Sequence, residues 1–134
     1  NSLHELGKAY NVCNKIDTEE CLVIAAGGSM RRFNTLKPTG VQTWLSGVGN
    51  MIPEVELAFR KDTSRLSIIK DFENPMFGVF MKIGWHKAMR EAIRQLGTGC
   101  IINGEPFAKI TKEEQVQIKN VLEELKAKCQ KHGF

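Results

Sequence analysis

Residues 41–54 read VQTWLSGVGNMIPE. Val41, Gln42, Thr43, Trp44 and Leu45 favour an extended, largely buried strand. Ser46, Gly47, Gly49 and Asn50 are turn formers, and Pro53 suits the first turn of a helix. A strand that feeds a glycine-rich turn and then a helix N-terminus sets backbone N–H groups at the carboxyl edge of a sheet, where anionic ligands bind. The pattern marks a place for a ligand and leaves its chemistry open.

Upstream, residues 21–26 (CLVIAA) form a short apolar run between acids and the turn Gly27, Gly28, Ser29, the pattern of a strand buried on both faces. A short helix is expected over 30–36, stopped by Pro38 and Gly40. Residues 1–60 therefore hold two strand, Gly-Ser turn, helix units, joined too closely for anything but neighbouring parallel strands. Ser2, Leu3, His4 and Glu5 match a capping box, and Leu3, Leu6, Tyr10 and Cys13 recur at helical spacing as far as about Asn14. The chain opens on that cap without an initiator methionine, and two parallel strands need partners on both edges. The expectation is a downstream part of a longer parallel α/β fold.

From Asp62 onward the periodicity is helical. Leu66, Ile69, Phe72, Met76, Phe80 and Ile83 line one face of a long helix with Pro75 as its kink point. Trp85, Met89, Ile93 and Leu96 line a second, between Gly84 and Gly97. Residues 98–110 are irregular, and a capping box at Thr111 and Glu114 opens a last helix with Ile118, Val121, Leu122 and Leu125 inward.

At 134 residues and 42% hydrophobic, the chain can bury one ordinary core. It has no run of ~18 apolar residues, and residues 1–10 are too polar for a signal peptide, so a soluble, cytoplasmic protein with no membrane partner is expected. The formal charge of +4 comes from Lys and Arg scattered among acids, a solvated surface with no nucleic acid partner. The cysteines (Cys13, Cys21, Cys100, Cys129) show no CxxC and no metal-finger spacing to His4, His86 or His132; reduced thiols, no disulfide and no metal are expected.

The order of these landmarks resembles the C-terminal part of the dihydrodipicolinate synthase and N-acetylneuraminate lyase family of aldolases and dehydratases. Residues 22–29, a strand with Gly27, Gly28 and Ser29, are similar to the family's seventh barrel strand. Residues 43–53, TWLSGVGNMIP, are similar to its eighth, where Trp, Ser-Gly and Asn-x-x-Pro recur. A Lys-containing helix over 86–97 ending in Leu-Gly, an irregular segment with Pro106 and a final helix after Ile110 and Thr111 follow in family order. The resemblance implies an α/β fold: the last two strands of a TIM (β/α)8 barrel over 1–60, then a C-terminal helical domain over 61–134. It also implies the C-terminal part of a class I lyase that holds pyruvate or a related 2-oxo acid as a Schiff base on lysine. Aldol cleavage, condensation or dehydration would then run through an enamine, because an iminium accepts electron density better than the ketone. No further cofactor is implied.

In the family that lysine belongs to the sixth strand, which would end before Asn1, so no catalytic residue is assigned here and the missing N-terminal barrel segment becomes a partner. The family's tyrosine relay and its Gly-x-Thr-x-Glu loop also have no counterpart; Tyr10 stands in the wrong context. What carries over is a substrate-binding wall: Gly27 close to the lysine, Gly28 and Ser29 toward the distal part of the substrate, and Leu45, through its carbonyl, with Ser46 from the last strand. Many lyases of the family have an acid where Gly28 or Ser29 stands, so sugar-acid specificity is not implied. A homo-oligomer is implied by analogy alone.

The residues themselves admit plainer roles. Gly27 and Gly28 can serve a tight turn, Ser46 the start of a helix, and Trp44 a packing anchor between barrel and helices. Lys87 can face solvent or pair with Glu91, and His86 can be a surface imidazole. Two other functions fit the same pattern: a phosphate-binding β/α-barrel enzyme of another chemistry, and a non-catalytic half-barrel interaction module.

Overall fold

The computed structural model describes residues 2–26, 29–99 and 109–134, with side chains from residue 7 on. The chain divides into two compact units, Asn1–Gly47 and Val48–Phe134.

The first unit begins with α1 (Ser2–Cys13), on which Cys13 is buried and Tyr10 is exposed, so Tyr10 does not share the expected apolar face. The side chains of the expected capping box and of Leu3 and Leu6 lie outside the described residues. Asp17 turns the chain by accepting the Glu19 N–H on Oδ1 at 2.9 Å and the Cys21 N–H on its carbonyl at 2.9 Å. Next come β1 (Ile24–Ala25), α2 (Met30–Leu36) and β2 (Thr43–Trp44). Ser29 caps α2: its Oγ accepts the Arg32 N–H at 3.0 Å, satisfying an amide that a helix start leaves unpaired. Met30 and Phe33 are buried, and the Phe33 ring meets Trp44 at 4.7 Å. A 3-10 turn over Lys37–Thr39, opened by Pro38, ends at Gly40, whose φ of +95° suits a residue without Cβ. The strands are parallel neighbours, Ile24 opposite Thr43 and Ala25 opposite Trp44. Gln42 extends the pairing with its backbone N–H on the Val23 carbonyl. Its side chain receives the Val23 N–H at 2.9 Å and donates to the Thr18 carbonyl at 3.1 Å.

The expected architecture nevertheless needs correcting. Among the described residues the sheet has two strands of two residues each, and every other regular element is helical. The chain does not form the last two strands of a TIM (β/α)8 barrel followed by a helical domain. A barrel strand carries a neighbour on each edge and runs for about five residues. Here each strand has one partner, and the apolar run 21–26 is not covered on both faces: Leu22 is 65% exposed and Ile24 43%, with Ala25 alone of that run buried. Hydrophobicity states a preference for burial, whereas burial itself requires an element to supply the second face.

The second unit opens on a 3-10 turn over Val48–Asn50 and α3 (Pro53–Lys61), with Glu54 and Glu56 in its first turn and Arg60 and Lys61 in its last, as the helix dipole favours. Asp62 then accepts both the N–H and the hydroxyl of Ser64, turning the chain into α4 (Leu66–Ile68). A π turn over Ile69–Glu73 joins α4 to α5 (Asn74–Ile83). Pro75 explains it. Proline has no N–H to return to Asp71, and the Asn74 N–H reaches back five residues to Ile69 instead of four. Leu66, expected inward, is exposed, while Ile68 and Ile69 take the buried positions.

Gly84 links α5 to α6 (Trp85–Gln95), and Thr111 caps α7 (Lys112–His132) in a capping box: Oγ1 accepts the Glu114 N–H at 3.2 Å and Glu114 Oε2 accepts the Thr111 N–H at 2.8 Å. Gly133, at φ +74°, closes α7. Its N–H bonds to Gln130 and that of Phe134 to Cys129, the paired bonds of a Schellman end. The core of this unit gathers Phe59, Ile68, Phe72, Met76, Phe80, Ala88, Ala92, Ile118 and Leu125, each essentially inaccessible.

Two glycines in this unit should respond to alanine with opposite signs. Gly78 sits mid-helix in α5 with nothing within 4 Å of the point a Cβ would occupy, so Gly78→Ala should stabilise by about 0.5–1 kcal/mol. Gly84 has equal space but a φ of +105°, and Gly84→Ala should destabilise by about 1–3 kcal/mol. Urea midpoints of the two variants check this, and shifts of the same sign would refute the backbone account.

Candidate functional site

Because the strands of the first unit run parallel and in register, the chain leaves both at one edge, Ala26 after β1 and Leu45 and Ser46 after β2. The Leu45 N–H donates to the Ala25 carbonyl at 3.0 Å, which carries the pairing one residue beyond β2. The Leu45 side chain is 55% exposed and Ser46 is exposed. Ser29 is buried in extended backbone, its hydroxyl engaged in the cap of α2. Gly27 and Gly28 lie outside the described residues. Of the five expected site residues, the pairing thus gathers Leu45 and Ser46 at the edge, with Ser29 at the start of the helix that follows β1. Trp44 is a packing anchor on Phe33 within this unit.

Sequence reasoning missed Arg32 at this edge. Its Nη1 donates to the Ala26 carbonyl at 3.0 Å, the first carbonyl past β1. The signal lay in its place: third residue of a helix whose capping serine directly follows a strand and a glycine pair, from which a long side chain reaches back to the strand. The exposed exit at Leu45 and Ser46 offers a hydroxyl and a carbonyl to a ligand, and the tethered guanidinium is fixed at the Ala26 carbonyl. Of the edge residues Ala26, Ser29, Arg32, Leu45 and Ser46, the two serines carry hydroxyls of a nucleophile type, and none is a carboxylate, imidazole or amine.

Among the described residues of the second unit, besides ion pairs within α7, ionisable side chains are hydrogen-bonded together around α6 and around His132. On α6, Glu91 is 2% exposed and accepts Nε of Arg94 at 2.9 Å, a second Arg94 nitrogen and Nε2 of Gln95 at 2.9 Å. The Arg94 hydrogen bonds hold its carboxyl below the usual carboxylate range, against the opposing effect of burial. Gln95 also donates to the Gln115 carbonyl, tying α6 to α7. Lys87, expected to face solvent or pair with Glu91, instead meets Glu114 Oε1 on α7 at 2.7 Å, and this bond, with the Thr111 amide, also lowers the Glu114 pKa. The Glu91 carboxylate is turned to Arg94 and Gln95, which is why it is not Lys87's partner. His86 is exposed. Beside these pairs runs a groove of about 680 Å³ lined by residues including Lys112, Gln115, Val116 and Leu122. In the other cluster, His132 Nε2 lies 2.9 Å from Asp71 Oδ2, with the Phe72 ring edge-on to the imidazole and Phe134 stacked on it.

Cys13, Cys21 and Cys129 are free thiols, and burial followed by the charge of Glu54 raises the Cys129 pKa. Cys100 lies outside the described residues. Among the described residues no group of three His, Cys, Asp or Glu side chains could hold a metal ion, and no helix is long and apolar enough to cross a membrane. Comparison of the chain with family models, with curated proteins and with solved structures gave no match.

Proposed function

We propose that this chain supplies the 2-oxo-acid-binding wall of a class I, Schiff-base lyase whose chemistry is that of the dihydrodipicolinate synthase and N-acetylneuraminate lyase family: aldol cleavage, condensation or dehydration of pyruvate or a related 2-oxo acid. The observation that supports it most is the parallel, in-register strand pair, whose strands are followed in sequence by Gly-Gly-Ser and Ser-Gly in the order the family resemblance requires. In this role the Leu45 carbonyl and Ser46 line the bound acid and Ser29 sets the start of α2 beside it, with Gly27 and Gly28 assigned to the same wall by the family resemblance alone. The amine is supplied by another segment or chain, because no lysine here stands where the family places it. This chemistry needs an anion-binding edge beside an amine and does not depend on the barrel architecture corrected above. Free thiols fit a cytoplasmic setting, and a homo-oligomer is proposed as the working form.

Borohydride reduction with labelled pyruvate tests this. The full-length protein that carries these residues should take up covalent label on a lysine, while residues 1–134 alone should take up none. Absence of label on the full-length protein rejects the proposal, and label on a lysine within residues 1–134 rejects the assignment of the amine elsewhere.

A further inference from the structure

Arg32 has no part in the roles above, yet it is held at the same edge by two bonds. Its backbone N–H is fixed by Ser29 Oγ at 3.0 Å, and its Nη1 donates to the Ala26 carbonyl at 3.0 Å. The residue is exposed, and among the described residues no carboxylate forms an ion pair with it. A neutral carbonyl orients the guanidinium without cancelling its charge. The group has five N–H donors in a planar fork, so a single bond to Ala26 leaves donors for an incoming acceptor. The fork matches a carboxylate in a two-point geometry, which a lysine ammonium cannot reproduce. Tethering also removes part of the entropy that a free arginine would lose on binding. The carbonyl that holds it is next in the chain to Ala25, whose own carbonyl receives the Leu45 N–H, so the guanidinium is anchored beside the edge where the wall of the proposed site begins.

We infer that Arg32 is a specificity-determining residue that reads a second carboxylate on the substrate, so that the preferred substrate is a 2-oxo acid with a distal carboxylate. This rests on the lyase function proposed above, and the experiment separates the two. The full-length protein carrying these residues, with its Arg32→Met and Arg32→Lys variants, is reduced with borohydride in the presence of labelled pyruvate and, in parallel, labelled 2-oxoglutarate. Wild type should be labelled by both acids. Arg32→Met should raise the half-saturating concentration of 2-oxoglutarate about tenfold, the weight of one charge-assisted hydrogen bond, with pyruvate labelling and the melting midpoint unchanged. Arg32→Lys should recover part of the loss, since it keeps the charge and not the fork. Equal losses for the two acids, or a lowered melting midpoint, would make Arg32 a turn clamp and overturn the inference, as would no loss for either. Wild type labelled by pyruvate but not by 2-oxoglutarate overturns the distal carboxylate and leaves the lyase function standing. No label from either acid overturns both.

Discussion

Phe80→Ala is expected to destabilise the helical unit by about 3–5 kcal/mol, the cost of removing a large buried ring and leaving a cavity behind. Phe80 is 0% exposed on α5, the helix that packs on both α6 and α7, and its ring lies edge-on to Trp85 at 5.9 Å. The backbone is untouched by the change: the Phe80 carbonyl still accepts the Gly84 N–H at 2.9 Å that ends the helix. The loss is therefore one of packing, and it is a large part of the ~5–15 kcal/mol that ordinarily separates a folded domain from its unfolded chain. Met81→Ala is the control, because Met81 is one residue on and 62% exposed, and its truncation should fall within about 0.5 kcal/mol of wild type. Urea unfolding followed by circular dichroism measures both. A Phe80→Ala loss below that of Met81→Ala would mean that α5 does not present this face to the core.

The second large effect is at Glu91, where Glu91→Ala is expected to cost about 2–3 kcal/mol. The carboxylate is buried and accepts bonds from Arg94 and Gln95, and deleting it strands both donors. Two facts hold the cost below that of a fully buried ion pair. The Arg94 side chain is 44% exposed and can return to water, and Gln95 keeps its bond to the Gln115 carbonyl. Acid titration supplies an independent readout. The Glu91 carboxyl lies below its unfolded-chain value in the folded chain, first through its Arg94 hydrogen bonds. The unfolded chain then takes up a proton before the folded chain does, so the stabilisation is complete above that value and is lost as pH falls through the folded one. Glu114 acts in the same direction through Lys87, and Glu113 through backbone and Thr111 hydrogen bonds. Glu91→Gln should make the acid limb of the stability profile shallower and leave the limbs contributed by Glu113 and Glu114 in place. An unchanged slope below about pH 4 would contradict the assignment.

Much of the local structure was legible in the residues. Pro53 marked the start of α3, Gly84 the break between α5 and α6, and Thr111 with Glu114 the capping box of α7. The parallel pairing of the two short strands followed from how little chain joins them, and the structure has that pairing. The candidate site was legible only as a strand exit followed by glycine and serine. Arg32 escaped notice because its partner is a backbone carbonyl six residues back, which leaves no trace in composition or periodicity. The spacing rule for helix faces leaves Lys87 to solvent or to Glu91, yet the acid it meets lies 27 residues away on another helix.

The division follows the range of the forces involved. What the sequence determined alone was settled within one turn of chain: hydroxyls that satisfy neighbouring amides at Ser29 and Thr111, rings and missing side chains that fix the dihedrals at Pro53 and Gly84. What only the tertiary structure decided was which surfaces are covered and which charges meet. The run 21–26 has the apolar character of a covered strand, but burial needs a second face that no residue of the run can provide for itself. The same holds for Glu91, a charged side chain that becomes a buried one because Arg94, Gln95 and the packing of α6 on α7 close around it.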